Sequence, residues 1–401
     1  MIVSGLVHPS LEELQGQTLL DVAKVPQLTT LTSRGVVGRV RTIPDGLEPT
    51  IEVGTLALLG YDPATCYTGR GPLEAAGFGV TLRQGEVAFR CHLVTEHEGR
   101  VVDATAGGIT TQEAAVLLEA LNTRLGGEGV QFHVGNGHRH IMVVRDPAIA
   151  ASCLTSRIPG PESMRHRLWE RALPRTDGGP WLASLLRRAR DILETHEVNQ
   201  VRLDLQENPA NFLWCWGQGQ ATSLPPLREL IGGSAGIVSG SHAVEGIARL
   251  AGVDVLVACG TFGADEDAYH DLARALLRGL KRHALVIAYV PLIEETRTAP
   301  RMRSRIAAIE LFDRAFVGPL MGAPSTRQAR WLVVPPCGPT TEAQAAAQPV
   351  PFLAAGPGLN PTATRFHESA AAHSPLQMTS GQALLQWWRL SSEQTEVSCA
   401  S

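Results

Sequence analysis

The sequence predicts an α/β protein in which a second domain interrupts a mostly parallel sheet. Beyond residue 212, short apolar segments alternate with longer amphipathic ones, which is typical of parallel strands joined by helices. The block before residue 150 departs from this alternation, because the pattern of residues 80–102 is that of β-strands. The chain has 401 residues, 44% of them apolar, and this is enough material for two or three domains with sizeable cores.

The first 144 residues predict a few helices around a β-rich block. Residues 111–125 favour an amphipathic helix, because Ala114, Leu117, Leu118 and Leu121 recur at helical spacing. The predicted elements are an apolar start at 2–6, a helix from 26 to a glycine cap at 35, a buried segment at 56–59, strands at 87–94 and 101–102, the helix at 111–125, and a hairpin of 131–133 with 141–144.

The remainder of the chain begins with a predicted loop or hinge at 147–180, which is rich in proline, glycine and serine. A helix is predicted at 181–198. The alternating elements that follow are strands at 212–216, 237–238, 254–258, 284–290, 331–334 and 351–353, and helices at 242–251, 268–280 and 304–317. These patterns place one domain at 1–66 and 200–401, with a second domain inserted at 67–199.

Composition excludes several classes of function. The net charge is −4 and the arginines are scattered, so we expect no nucleic-acid partner. No apolar run approaches the length of a membrane span, and the first residues lack the pattern of a signal peptide, so we expect no membrane partner. Seven separated cysteines without a CxxC pair indicate reduced thiols and a cytoplasmic protein.

Several motifs, in order and at their spacing, carry a resemblance that extends over nearly the whole chain. They are 56–63 (LALLGYDP), 69–74 (GRGPLE), 88–91 (AFRC), 132–140 (FHVGNGHRH), 214–219 (WCWGQG), 305–313 (RIAAIELFD), 349–352 (PVPF) and 356–358 (GPG). Together they resemble the archaeal-type cofactor-independent phosphoglycerate mutases of the alkaline phosphatase superfamily.

The resemblance implies an alkaline-phosphatase-like α/β domain with helices on both faces of its sheet and a smaller inserted α+β domain. It also implies an active site in which two divalent ions, usually manganese, activate a serine. That serine takes the phosphate from one hydroxyl of phosphoglycerate and returns it to the other.

The positions that carry metal ligands and nucleophile in the family hold other residue types here. Ser4 stands where the first strand should end in aspartate, and Ile51 stands at the serine, with the hydroxyl of Thr50 one residue away. The remaining family positions for metal ligands hold Glu294, Thr298, Pro336, Cys337 and Ala345. Because a divalent ion needs about four to six ligands, we predict no metal cofactor and loss of two-metal catalysis.

Basic residues remain at motif positions that face the substrate in the family. They are Arg70, Arg90, His133, Arg139 and His140, and guanidinium groups suit phosphate and carboxylate. Structural ion pairing by Arg70 and Arg90 is an equally good interpretation. His133, His138 and His140 could also converge on a metal, although packing explains them better.

Three hypotheses follow. The first is a catalytically degenerate homologue that binds an anionic metabolite, a protein partner or a second copy of itself. The second is an active mutase or phosphotransferase with a rebuilt site, using Thr50, Glu52, Glu294 and the histidines at 133–140. The third is metal-independent chemistry at Cys337 or a histidine.

Overall fold

The computed structural model describes residues 1–154, 157–175, 177–259, 265–292, 302–339 and 347–398, with only the backbone for 391–398 and Glu128. The chain divides into two compact units. We call Met1–Tyr67 with Leu224–Ser401 the discontinuous unit and Thr68–Ser223 the inserted unit. Within the described ranges, no helix is both long enough and apolar enough to cross a membrane.

The strands of the described residues are numbered in chain order. They are β1 (Ile2–Ser4), β2 (Gly35–Val40), β3 (Val87–His97), β4 (Arg100–Asp103), β5 (Val130–Asn136), β6 (Arg139–Val144), β7 (Phe212–Gln220), β8 (Ala235–Ser239), β9 (Asp254–Val257), β10 (Leu285–Pro291), β11 (Trp331–Val333), β12 (Val350–Ala355) and β13 (Gln377–Met378).

The α-helices are numbered in the same way. They are α1 (Leu19–Val22), α2 (Pro26–Thr32), α3 (Ile51–Leu58), α4 (Pro63–Cys66), α5 (Arg70–Gly77), α6 (Thr111–Leu125), α7 (Pro147–Cys153), α8 (Gly179–Glu194), α9 (Glu197–Asp204), α10 (Leu227–Ile231), α11 (His242–Leu250), α12 (Glu266–Gly279), α13 (Met302–Leu311), α14 (Gly318–Gly322), α15 (Glu368–His373) and α16 (Gly381–Ser398). A π-helical segment, Phe312–Val317, links α13 to α14. Short 3-10 helices cover Glu12–Leu14, Ala106–Gly108, Gly126–Glu128, Pro161–Met164, Trp169–Ala172 and Pro324–Thr326.

The discontinuous unit confirms the predicted α/β class. Its four-stranded sheet has the order β1-β10-β8-β9, and every pairing in it is parallel. Strand β8 is buried along its whole length, as a parallel strand covered on both faces should be. Helices α11 and α12 are amphipathic and pack their apolar faces against this sheet.

A second sheet in this unit has the order β11-β12-β2-β13, with antiparallel pairs on both sides of β12. The predicted glycine cap at residue 35 was wrong, since helix α2 ends at Thr32 and Gly35 opens β2. A Cβ atom at Gly35 would lie 2.1 Å from the carbonyl oxygen of Ala354. Glycine is therefore needed for close approach of two strands rather than for a helix end.

The inserted unit is an antiparallel sheet packed against helices. The sheet has the order β4-β3-β6-β5, and β7 also pairs with β3. The predicted helix at 111–125 and hairpin of 131–133 with 141–144 are confirmed as α6 and as β5 with β6. A reciprocal pair of hydrogen bonds between Thr110 and Glu113 fixes the start of α6.

Three predictions for this region were wrong. The strand at 212–216 belongs to the inserted unit, because β7 pairs antiparallel with β3, so the unit ends at 223 rather than at 199. The predicted loop at 147–180 contains α7, whose first N–H groups bond to the Asp146 carboxylate. The predicted helix at 181–198 is two helices, because the chain leaves the helical conformation at His196, which caps α9.

Candidate functional site

The discontinuous unit brings together three of the segments at which the resemblance predicts metal ligands and nucleophile. Ser4 ends β1, and the Val3 N–H donates to the Val334 carbonyl 3.0 Å away, just beyond β11. The helix that begins at Ile51 packs against the next residues of that segment, since a Cβ at Gly54 would lie 1.7 Å from the Pro336 oxygen.

The side chains at these positions do not fit a pair of divalent ions. Ile51 and Pro336 offer no donor atom, and Ile51 is buried. Ser4 contributes a hydroxyl and Cys337 a buried thiol, whereas hard divalent ions take carboxylate oxygens and imidazole nitrogens. Glu52, beside Ile51, is a buried carboxylate. Positions 294, 298 and 345 lie outside the described residues, so the loss of metal ligands at Glu294, Thr298 and Ala345 stays a prediction.

Thr50 has a structural role of its own. It is the N-cap of α3, and its hydroxyl accepts a hydrogen bond from the Val53 N–H at 3.3 Å. Such a cap satisfies one of the N–H groups that the first helical turn leaves without an intrahelical partner. The hydroxyl is thus accounted for by helix capping, and the Thr50 nucleophile stays a prediction.

A different group in this unit has the residue types that bind soft metals. His242 and Glu245 lie three residues apart at the start of α11, and Cys259 follows β9. Their ligand atoms all lie within 4.8 Å of one another. However, the Glu245 carboxylate already accepts two bonds from Arg249 and one from the Cys259 N–H. These bonds explain the position of Glu245 without a metal.

In the inserted unit, two predicted arginines meet on one buried carboxylate. Arg70 begins α5, and its Nε lies 2.9 Å from Oε1 of Glu74, one turn later. Arg90, on β3, places Nη1 2.6 Å from the same oxygen. Glu74 and Arg90 are each 3% exposed, so this contact is part of the packing between α5 and the sheet. We call Arg70, Glu74, Arg90, His92, His138 and Trp216 the arginine cluster.

An aromatic ring and two histidines complete the arginine cluster. The guanidinium carbons of Arg90 and Arg70 lie 5.0 and 5.7 Å from the centre of the Trp216 ring, within cation–π range. The Nε of Arg90 donates to Nε2 of His92 at 2.8 Å. The His92 ring stands edge-on to the His138 ring, with 5.1 Å between centres.

Both histidines of the cluster are neutral. Burial, followed by the charge of Arg90, holds the pKa of His92 well below its ordinary value. Burial and the nearby charge of Arg139 lower the pKa of His138 to about 3. Because Nε2 of neutral His92 accepts a bond from Arg90, the ring proton of His92 is on Nδ1.

Four buried nitrogens at or beside the cluster have no hydrogen-bond partner among the described residues. They are Nδ1 of His92, Nε1 of Trp216, Nε of Arg139 and Nε2 of His138, and the first three carry a proton. Buried polar groups in folded proteins are nearly always hydrogen-bonded. Donors of this kind beside two guanidinium groups form a site that suits the oxygens of a phosphate or carboxylate.

The other predicted histidines lie apart from this arrangement. His140 pairs with Cys91, so strand alternation points it to the opposite face of the sheet from Arg90. Its Nδ1 accepts the Gly135 N–H at 3.1 Å, and burial lowers its pKa to about 3. The pKa of His133 is lowered by burial and by Arg145. Among described residues, the histidines at 133, 138 and 140 form no metal-binding group.

Sequence reasoning missed Glu74, His92 and Trp216. His92 could have been found, since it lies two residues after Arg90 on the predicted strand and therefore on the same face. Trp216 could not, because its position depends on the pairing of β7 with β3, a contact between segments far apart in the chain.

The fold and the arginine cluster define a class, namely an α/β protein with an inserted antiparallel unit that carries a basic, hydrogen-bonding site. A protein of solved structure from Pyrococcus horikoshii shares this fold, with a TM-score of 0.77 at 22% identity over 98% of this chain and 96% of its own. A cofactor-independent phosphoglycerate mutase from Thermoplasma acidophilum matches with a TM-score of 0.61 at 25% identity, over 97% of each chain.

Sequence comparison gives the family. Residues 32–199 match the family model of 2,3-bisphosphoglycerate-independent phosphoglycerate mutase. The protein of that name from Methanosarcina barkeri is 35% identical over 355 residues, or 88% of each chain. Its Methanothrix thermoacetophila counterpart is 33% identical over 389 residues, covering 96% of this chain and 97% of its own. The chain belongs to the 2,3-bisphosphoglycerate-independent phosphoglycerate mutase family.

Proposed function

We propose that this chain binds a small phosphorylated or carboxylated metabolite at the arginine cluster and has lost two-metal phosphoryl transfer. One observation carries the binding half of the proposal, namely the buried donors of His92 and Trp216 that have no acceptor among described residues. A bound oxyanion would supply those acceptors. The relatives are named for phosphoglycerate, which has both a phosphate and a carboxylate, and it is the first ligand to test.

The loss of catalysis is supported by the residue types of the discontinuous unit. Transfer through a serine needs a metal that lowers the pKa of the hydroxyl and cations that neutralise the phosphate. Ile51 occupies the serine position, and Pro336 and Cys337 replace two expected ligands. The scattered cysteines support a cytoplasmic location for such a binding protein.

Calorimetric titration of the full chain with 3-phosphoglycerate tests binding. We expect saturable binding that Arg90→Met weakens by about tenfold or more, because one charge-assisted contact is lost. Arg145→Met is a matched control, since Arg145 is a half-exposed arginine of the same unit. No heat of binding, or equal affinity of both variants, would refute the assignment of the cluster as a binding site.

A mutase assay with manganese, with and without chelator, tests the loss of catalysis. We expect no turnover above the level of a chelated control. Manganese-dependent turnover that disappears on chelation would contradict the proposal. If that turnover also disappeared in Thr50→Val but remained in Thr55→Val, the result would favour an active enzyme with a rebuilt site in which Thr50 is the nucleophile.

A further inference from the structure

The inserted unit has a basic pocket that is separate from the arginine cluster. Its cavity volume is about 490 Å³, within the range of roughly 300–1,000 Å³ common for small-molecule sites. Arg100, His166, Arg167 and Arg171 line it together with apolar residues that include Met164 and Leu168.

Backbone hydrogen bonds hold the pocket in place. The His166 N–H donates to the Val101 carbonyl at 2.7 Å, and the Trp169 N–H donates to the Gly99 carbonyl at 3.0 Å. These bonds fasten the pocket wall to the β3–β4 hairpin. Between them, the Arg100 guanidinium donates to the His166 carbonyl at 2.8 Å. His166 itself has a φ of 60°, a left-handed conformation that few residues other than glycine adopt.

The charges of this pocket are not neutralised within the described part of the chain. No carboxylate there forms an ion pair with Arg100, Arg167 or Arg171, and no acidic residue lines the cavity. The nearby Glu170 lies instead 2.7 Å from Arg187. Three guanidinium groups around one cavity repel each other, and an anionic ligand would offset that repulsion.

The apolar side of the pocket narrows the class of ligand. Pro159 and Leu168, both partly exposed, offer a surface for a flat or apolar group, whereas the three guanidinium groups suit several phosphate oxygens. We propose that this pocket binds a nucleoside polyphosphate, with its phosphates against the arginines and its base against Pro159 and Leu168. The proposal stands independently of the function assigned to the arginine cluster.

Calorimetry of the full chain with ATP, ADP, AMP, adenosine and inorganic triphosphate tests the proposal. We expect affinity to fall in the order ATP, ADP, AMP, with ATP tighter than inorganic triphosphate and no binding of adenosine. Arg167 and Arg171 are both exposed, and the double variant Arg167→Gln with Arg171→Gln should weaken ATP binding by about a hundredfold, which is about tenfold for each lost charge-assisted contact. Arg187→Gln changes an arginine of the same unit that does not line the pocket and is paired with Glu170, and it should leave the affinity unchanged.

A second measurement keeps the test decisive. Photocrosslinking with 8-azido-ATP should label a peptide within 159–172, and unlabelled ATP should compete. Absence of saturable ATP binding would overturn the proposal. So would ATP binding that survives the double change, or that is lost in Arg90→Met instead, since the nucleotide would then occupy the arginine cluster. Binding of inorganic triphosphate as tight as ATP would overturn the role of the apolar surface.

Discussion

Replacing Glu74 by glutamine tests how strongly the arginine cluster is built into the core. Glu74→Gln keeps the shape of the side chain and removes its charge. Arg90, 3% exposed, then faces a neutral amide at 2.6 Å where it had a carboxylate. Breaking a buried ion pair by neutralising one partner costs about 3–5 kcal/mol, far more than the cost of up to about 1 kcal/mol at an exposed pair.

Urea unfolding followed by circular dichroism measures this cost. With a denaturant slope of about 2 kcal/mol per molar, the midpoint should fall by about 1.5–2.5 M. Glu170→Gln is the matched control, because Glu170 and Arg187 form an ion pair in which both side chains are half-exposed. Its midpoint should fall by at most about 0.5 M. Equal shifts in the two variants would refute the reasoning.

A double variant separates two costs, namely the lost attraction between Arg90 and Glu74 and the burial of the Arg90 charge without a carboxylate beside it. In Glu74→Gln with Arg90→Met, the buried guanidinium of Arg90 is gone. The double variant should therefore be more stable than Glu74→Gln alone, by about 1–3 kcal/mol. A double variant less stable than both single variants would show that packing volume, and not charge, governs this site.

Three further outcomes are expected. Gly54→Ala should destabilise the discontinuous unit by roughly 3 kcal/mol in urea, because the new methyl meets the Pro336 backbone and this outweighs about 1 kcal/mol of helix propensity. His140→Gln should flatten the loss of stability between pH 6.5 and 3, measured as urea midpoints, since native His140 resists a proton that the unfolded chain accepts. Peroxide should oxidise Cys91 and Cys215, whose Sγ atoms lie 3.0 Å apart, to a disulfide. The two electrons and two protons that the thiols lose reduce the peroxide to two waters, and peptide mass spectrometry detects the disulfide.

Each of these outcomes has a control in the same chain. Gly322→Ala adds a methyl that meets nothing within 4 Å, and a loss as large as that of Gly54→Ala would contradict the steric argument. His97→Gln changes an exposed histidine, and an effect on the pH dependence of stability equal to that of His140→Gln would contradict the argument that burial of His140 causes that dependence. Links from Cys153 in place of the link between Cys91 and Cys215 would show exchange after unfolding rather than reaction in the native sheet.

The sequence predicts those elements whose signal is local. The helix at 111–125 matched in both bounds, because its apolar spacing and its capping pair agree. The parallel sheet also followed from the alternation of segments. The position of β7 did not, since an isolated apolar strand fits a parallel or an antiparallel sheet equally well. Only its pairing with β3 assigns it to the inserted unit.

The candidate site divides in the same way. Arg70 and Arg90 were predicted from motif positions, and the structure brings them together on Glu74. His140 shares a motif with Arg139 but points to the opposite face, because neighbours in a strand alternate. A motif lists residue types in order, whereas a binding site depends on which face of a sheet each side chain occupies.

Retention of the arginines does not by itself argue for a ligand. Arg90 and Glu74 form part of the core of the inserted unit, so their loss costs folding energy whether or not anything binds. The isoleucine at position 51 needs no charged partner, and a set of metal-binding carboxylates repels itself without its ions, so the predicted loss of the metal positions would carry no such penalty. The discriminating atoms are therefore Nδ1 of His92 and Nε1 of Trp216. Packing leaves both without an acceptor among described residues, and a bound oxyanion supplies one.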